Sequence, residues 1–242
     1  MTDVAIVVPT LDEALTLPRL ARLLAALHPA PAEVVVVDGG SGDGTARMAR
    51  ELGLRVVEHM PPGRSGQINR GVAEVSSPLV CVLHADTLPP DDLVAVVRAT
   101  LADQKVALGG FTPLLAGAEK VRWVTSFHNW IKTWYAPLLF RPHLFVRGAR
   151  LLFGDHAMFF RREQFLAVGG FDEGAAVMEE ADLCIKLVQF GRTRLVNRVI
   201  VTSDRRVAAW GEWRANWIYL KVGLRWALGL RKRLGDHYPH VR

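Results

Sequence analysis

Along the first hundred residues, short apolar runs almost free of charge alternate with stretches of helical periodicity, and no other feature constrains the fold as tightly. Val4–Val8 is an apolar run stopped by Pro9, and Leu15, Leu20, Leu23, Leu24 and Leu27 follow at helical spacing. Glu33–Val37 reads as the next strand, Thr45–Leu52 as a short helix closed by Gly53, and Leu54–Val57 as a third strand. Gly66–Val75 reads as a helix, Leu79–Leu83 as a fourth strand, and Asp91–Leu101 as a helix behind Pro89-Pro90. Strands this uniformly apolar are buried on both faces. The expectation is therefore an α/β fold, a mostly parallel sheet with helices on both faces.

From Val106 the rhythm changes. VALGGF reads as a strand, Glu119–Phe140 as a long aromatic, amphipathic segment, and HAMFF as a strand leading into RREQFLAVGGF. MEEADLCIKLVQFG reads as a helix ended by Gly191, Arg194–Val201 as a strand, and Trp210–Leu230 as a helix. No Pro/Gly/Ser-rich linker separates the halves. The chain is therefore expected to form one domain, residues 1–242, its first half at 1–105 and a second lobe at 106–242.

A hydrophobic content of 50% supports a substantial core, and 22% charged residues argues against disorder. Cys81 and Cys184 both sit in apolar contexts, as packed thiols of a reduced, cytoplasmic protein would. The start, MTDVAIVVPT, lacks the basic segment of a signal peptide, and no run approaches the roughly 20 apolar residues of a spanning helix. A net charge of +6 and a pI near 9.7 suggest an anionic partner. Nucleic acid is not expected, because the strands lack interleaved aromatic and basic residues.

In parallel sheets, ligands bind beyond the carboxyl ends of the strands. Here those ends read PTLDE, DGGSGDGT, HMPPGR and HADT. DGGSGDGT fits neither common glycine template: Gly44 is followed by Thr45 without the lysine of a phosphate loop, and the third glycine of a dinucleotide fingerprint is replaced by Thr45. Asp38 would repel a diphosphate but accept hydrogen bonds from a base or ribose, which points to a nucleotide whose nucleoside lies over this turn. The phosphates then need a cation, and Asp86 of HAD is a candidate Mg²⁺ or Mn²⁺ ligand, since such ions combine one or two carboxylates with substrate phosphate oxygens.

This pattern resembles the family-2 glycosyltransferases of the GT-A (Rossmann-like) fold. VVPTLDE, VVVVDGGSGDGT and VLHADT resemble their opening, second and Asp-x-Asp motifs, and GGFDE and MEEADL their acceptor-side motifs. PPGRSGQINRG and GDHAMFFRR resemble stretches of short bacterial members labelled arsenosugar-biosynthesis glycosyltransferases. The resemblance implies a metal-dependent inverting transferase that moves a sugar from a nucleotide-sugar, commonly a UDP-sugar, to an acceptor hydroxyl. It implies that Pro9, Leu11, Glu13 and Asp38 line the nucleoside pocket, that Arg64 and Gln67 approach the nucleotide from the third strand's loop, and that Asp86 binds Mn²⁺ or Mg²⁺. Glu180 stands where these enzymes carry a catalytic aspartate. Two departures are visible: His84 replaces the first metal-motif aspartate, as a further ligand or a neighbour, and a glutamate replaces the base.

A helix start favours the ionised carboxylate that a base must be, which suits Glu180; Glu179 and Asp182 are neighbours able to take the role. Arg205 and Arg206 read either as contacts to diphosphate or acceptor phosphate or as a solvated pair. His156 reads as facing the sugar or as core, and Asp155 as a holder of a sugar or acceptor hydroxyl. Trp210, Trp213, Trp217, Leu220, Leu224 and Leu228 form a stripe flanked by Arg214, Lys221, Arg225 and Lys232. Packing of this helix on the core is expected, with peripheral membrane contact or a lipid-linked acceptor as the alternative. Other readings of the whole chain are a nucleotide-binding protein with a degraded site and a nucleotidyltransferase.

Overall fold

A computed structural model describes residues 2–117, 120–175 and 177–230. Its elements run β1 (Val4–Thr10), α1 (Leu17–Ala25), β2 (Glu33–Asp38), α2 (Thr45–Glu51), β3 (Arg55–Glu58), α3 (Arg64–Glu74), β4 (Leu79–Val82) and α4 (Leu93–Ala102). The second half adds β5 (Val106–Ala116), α5 (Trp123–Phe140), α6 (Pro142–Val146), a 3₁₀ turn at Gly154–His156, β6 (Phe159–Arg161), α7 (Arg162–Ala167), α8 (Glu179–Leu187), β7 (Arg192–Ser203), α9 (Arg205–Trp210) and α10 (Glu212–Ala227).

One seven-stranded sheet has the order β3-β2-β1-β4-β6-β5-β7. β1 through β4 are parallel, β6 runs antiparallel to β4 and β5, and β7 pairs parallel with β5. Successive strand residues point to opposite faces, and the buried clusters follow that period of two. Ala5, Val7, Val35, Val37, Val80 and Val82 meet α3, α8 and α10 on one face. Val4, Ile6, Val8, Val36, Leu79 and Cys81 meet α1 and α4 on the other. The mostly parallel, doubly covered sheet expected from the sequence is what forms.

Several boundaries differ from the sequence reading. Pro9 does not stop β1, which continues to Thr10: pairing with β4 has already ended at Val7, so no sheet partner awaits the missing N–H. α3 begins at Arg64, not Gly66, which moves Arg64 from a loop onto a helix start. The helix expected over 210–230 runs from Glu212 to Ala227, and a further short helix, α9, precedes it across a break at Gly211, whose φ of 82° is a conformation that glycine takes without strain. Glu119 and Lys232 lie outside the described residues. Cys81 and Cys184 are free and buried, and loss of hydration pushes both thiols up to about 12. No helix among the described residues is long and apolar enough to cross a membrane.

Candidate functional site

In-register pairing brings Thr10, Asp38 and Glu58 level at one edge of the sheet. The loops that follow β1 and β2 are laced together there. Asp12 N–H donates to Ser41 Oγ (2.9 Å), Gly42 N–H to Asp12 (2.9 Å), Glu13 N–H to Thr45 Oγ1 (2.8 Å) and Ala14 N–H to Asp43 (3.0 Å). Asp38 organises this knot. Its carboxylate accepts from Gly40 N–H (3.0 Å), Ser41 N–H (2.9 Å), Ser41 Oγ (2.5 Å) and Thr10 Oγ1 (3.4 Å), and the residue is 2% exposed. Two carboxylate oxygens offer about four acceptor positions. Asp38 thus holds the turn, and a nucleoside reaching its carboxylate would compete with these donors.

Gln67 too is engaged by the fold. It is buried, and its amide donates to Thr10 O (2.7 Å) and Val37 O (2.8 Å), tying the ends of β1 and β2 from beneath. Pro9 is buried within β1, and Leu11 lies half-buried at the turn beyond it.

Glu13 and Asp86, far apart in sequence, meet through Arg205. Its Nη2 lies 2.6 Å from Glu13 Oε1 and 2.8 Å from Asp86 Oδ2. Of the two readings of Arg205, the structure therefore brings it into the strand-end cluster. Arg206 is exposed one residue on, its charge felt by His84. His84 precedes Asp86 by two positions, and desolvation followed by the Arg64 charge takes its pKa down to about 4, leaving a neutral imidazole.

A second cluster gathers at the starts of α3 and α8. Arg64 Nη2 lies 2.5 Å from Glu180 Oε1, while its Nε and Nη2 both donate to Glu179 Oε1. Both glutamates are buried, and Glu179 Oε2 has no partner among the described residues. Desolvation raises the Glu180 pKa to about 7 against the lowering pull of Arg64, with Glu179 and Asp155 adding repulsion. Gly154 faces this cluster. A Cβ there would lie 2.8 Å from Glu180 Oε1, 3.0 Å from Arg64 Nη1 and 3.3 Å from His84 Nε2, so the missing side chain leaves space where the three converge.

Beside it, Asp155 accepts from Asn129 Nδ2 (2.7 Å) and pairs with His156 Nδ1 (3.1 Å). Desolvation opposes its ionisation, but His156 and Lys132 outweigh that and bring its pKa to about 2. Lys132 sits 3.8 Å over the Phe153 ring, its pKa lowered to about 8 by desolvation against the attraction of Asp155 and Glu180. Sequence reasoning missed Asn129 and Lys132. The available signal was a polar series, Thr125, Ser126, Asn129, Lys132 and Thr133, recurring at helical spacing inside an aromatic segment. His156 is fully buried against Thr133 and Phe153, so its sugar-facing reading is corrected to core. Asp182 accepts from Trp226 Nε1 (3.2 Å) and so ties α8 to α10.

The family described as "Glycosyl transferase family 2" matches residues 5–169. The succinoglycan biosynthesis protein ExoA of Rhizobium meliloti is 34% identical over 202 residues, covering 78% of this chain and 59% of that protein. A pre-mycofactocin glycosyltransferase of Mycobacterium tuberculosis is 28% identical, covering 84% of this chain and 43% of that protein. The chain thus spans between two fifths and three fifths of the length of these relatives. Among solved structures, glucosyl-3-phosphoglycerate synthase from Mycobacterium tuberculosis, in complex with Mn²⁺, UDP and glucosyl-3-phosphoglycerate, superposes with a TM-score of 0.65 at 20% identity, covering 94% of this chain and 80% of that one. A mannosyltransferase from Pyrobaculum calidifontis, solved with GDP-Man and Mn²⁺, gives 0.67 at 21% identity, covering 90% of this chain and 60% of that one.

Proposed function

Because the chain belongs to glycosyl transferase family 2 and is a glycosyltransferase of GT-A fold, we propose that it transfers a sugar from a nucleotide-sugar to an acceptor hydroxyl with inversion at the anomeric carbon. The observation that carries this reading is Glu180: a buried carboxylate at a helix start, with its pKa lifted to about 7, beside the space left by Gly154. A base of that pKa is well matched to taking a hydroxyl proton near neutral pH. Glu180 accepts the acceptor's proton, the acceptor oxygen bonds to the anomeric carbon, and the bond from that carbon to the diphosphate oxygen breaks. The nucleoside diphosphate leaves with the electron pair.

The nucleoside lies over the interlaced turns, against Leu11, Glu13 and backbone groups that Asp38 and Gln67 hold in place. A UDP-sugar is the first donor to test, because the synthase was solved with UDP; GDP-mannose, bound by the archaeal mannosyltransferase, is the second. Arg64 and Arg205 are the cations nearest the departing phosphates. Glu179 Oε2, buried without a partner among the described residues, is an acceptor for a sugar or acceptor hydroxyl. Asp155, fixed by Asn129, lies on the same side for a second hydroxyl.

The donor set fits a divalent ion completed by substrate phosphates. Asp86 supplies one carboxylate and His84 a neutral imidazole, and among the described residues no group of three or more His, Cys, Asp or Glu is gathered. Asp86 and His84 would hold Mn²⁺ or Mg²⁺ once Arg205 yields its place on Asp86. When bound, such an ion neutralises charge on the leaving diphosphate. The likeness of PPGRSGQINRG and GDHAMFFRR to arsenosugar-biosynthesis enzymes supports membership of that subgroup as the finer reading. Family membership sets aside the nucleotidyltransferase alternative.

The test is release of nucleoside diphosphate from a panel of sugar nucleotides with Mn²⁺, comparing the chain with its Glu180→Gln variant. Release that Glu180→Gln abolishes supports the reading; equal release by a folded variant removes Glu180 as the base.

A further inference from the structure

α5 is inside out. Its buried face carries Thr125, Ser126, Asn129 and Thr133, while Trp123, Phe127, Trp130, Ile131, Trp134 and Leu138 face outward. Helices on a water-exposed surface turn their apolar stripe inward, so this arrangement asks for an apolar medium outside. α10 does the same in part. Trp226 is buried, but Trp213 and Trp217 are 86% and 67% exposed, and Leu220 and Leu224 share their side of the helix. The packing expected for the Trp210–Leu228 stripe thus fails at Trp213 and Trp217.

The two helices lie side by side and run the same way. Asn216 bonds Thr125 (3.1 Å) and meets His128 (3.3 Å) near their starts, and Arg141 reaches Ala227 O (3.3 Å) at their ends. On each helix the apolar stripe lies opposite the buried face, so both stripes belong to one outer surface. Its rim is cationic. Arg147, Arg214 and Lys221 are exposed, and the Arg150 guanidinium stands 4.9 Å from the centre of the Trp134 ring.

The geometry points to one occupant: the surface of an anionic lipid bilayer, entered shallowly by the outward tryptophans of α5 and α10. Tryptophan at headgroup depth flanked by Lys and Arg is the chemistry of an interfacial helix, whereas a protein partner of equal fit would leave the cationic rim unexplained. This surface is separate from the strand-end site, since the inner face of α5 holds Asn129 and Lys132 against Asp155 and Phe153.

The experiment is sedimentation of the full chain with vesicles of phosphatidylcholine alone and of phosphatidylcholine with phosphatidylglycerol, at low and high salt. Binding to anionic vesicles at least about tenfold tighter than to neutral ones is expected, weakening with salt, together with a blue shift of tryptophan emission. Trp213→Ser/Trp217→Ser and, separately, Phe127→Ser/Trp130→Ser are expected to weaken binding about tenfold or more with unchanged circular dichroism. No vesicle binding at low salt overturns the inference. So does undiminished binding by both folded double variants. A dimer that the double variants dissociate, with no vesicle binding, assigns the face to a second copy of the chain instead.

Discussion

Arg64 and Glu180 form an ion pair at 2.5 Å, and the same guanidinium also bonds Glu179, so one cation holds two buried carboxylates adjacent in the chain. The pair joins the start of α3 to the start of α8, two elements from opposite halves of the sequence.

Glu180→Gln is expected to lower kcat by roughly 10²–10⁴-fold with little change in donor binding, as removal of a general base does. For the unaltered chain, kcat/KM should rise about tenfold per pH unit up to the Glu180 pKa near 7 and level off above it, because only the ionised form accepts a proton. Stability moves the opposite way. The folded pKa exceeds the ordinary 4.5, so the contribution of Glu180 is fully present below pH 4.5 and is lost as pH rises towards 7. Thermal melts of the Gln variant should lack that decline. Arg64→Ala, which removes a charge that lowers this pKa, should shift the rate profile to higher pH.

Gly154→Ala puts a methyl group 2.8 Å from Glu180 Oε1 and 3.0 Å from Arg64 Nη1. The glutamate must move, and displacements near 1 Å at a reacting centre cost on the order of 10²-fold in rate. Steady-state kinetics should show that loss in kcat, with a melting temperature close to that of the unaltered chain.

Gln67→Ala should act on stability. It removes one hydrogen bond from each of two backbone carbonyls at the ends of β1 and β2, of which Thr10 O keeps Gly39 N–H (2.9 Å), and opens a void under Gly39. A loss of about 2 kcal/mol is expected, read as a fall in melting temperature of roughly 4–8 °C. A variant that melts normally yet binds donor poorly would return Gln67 to the ligand.

Arg205→Ala removes two half-exposed ion pairs, with Glu13 and Asp86, and should cost less than about 1 kcal/mol of stability. Its expected signature is a donor KM raised several-fold, measured beside a melt. Asp86→Asn should abolish stimulation by Mn²⁺ or Mg²⁺ in chelator-treated protein.

The sheet was legible because its strands are short, apolar and punctuated by Gly, Pro and Asp, which local chemistry decides. The two-layer cores follow directly from the alternation of Val4, Ile6 and Val8 with Ala5 and Val7. Site residues were legible as strand-end positions but not as roles. Asp38 read as a ligand contact although Gly40 and Ser41, two and three residues on, could already be seen as turn donors to its carboxylate; for Gln67 nothing local reveals that Thr10 and Val37 will consume its amide. The Arg205 contacts with Glu13 and Asp86 span 192 and 119 residues, beyond any periodicity. α5 misled for a different reason: amphipathic spacing reports that a helix has two faces, and says nothing of which one turns inward.

The central claim is tested most directly by the crystal structure of this chain with UDP and Mn²⁺. The expected result is UDP beyond the ends of β1, β2 and β4, its nucleoside over Leu11–Glu13 and its phosphates on an ion held by Asp86, with Arg205 drawn off that carboxylate. UDP bound away from that edge, or Arg205 still closed on Asp86 with the diphosphate elsewhere, would contradict it.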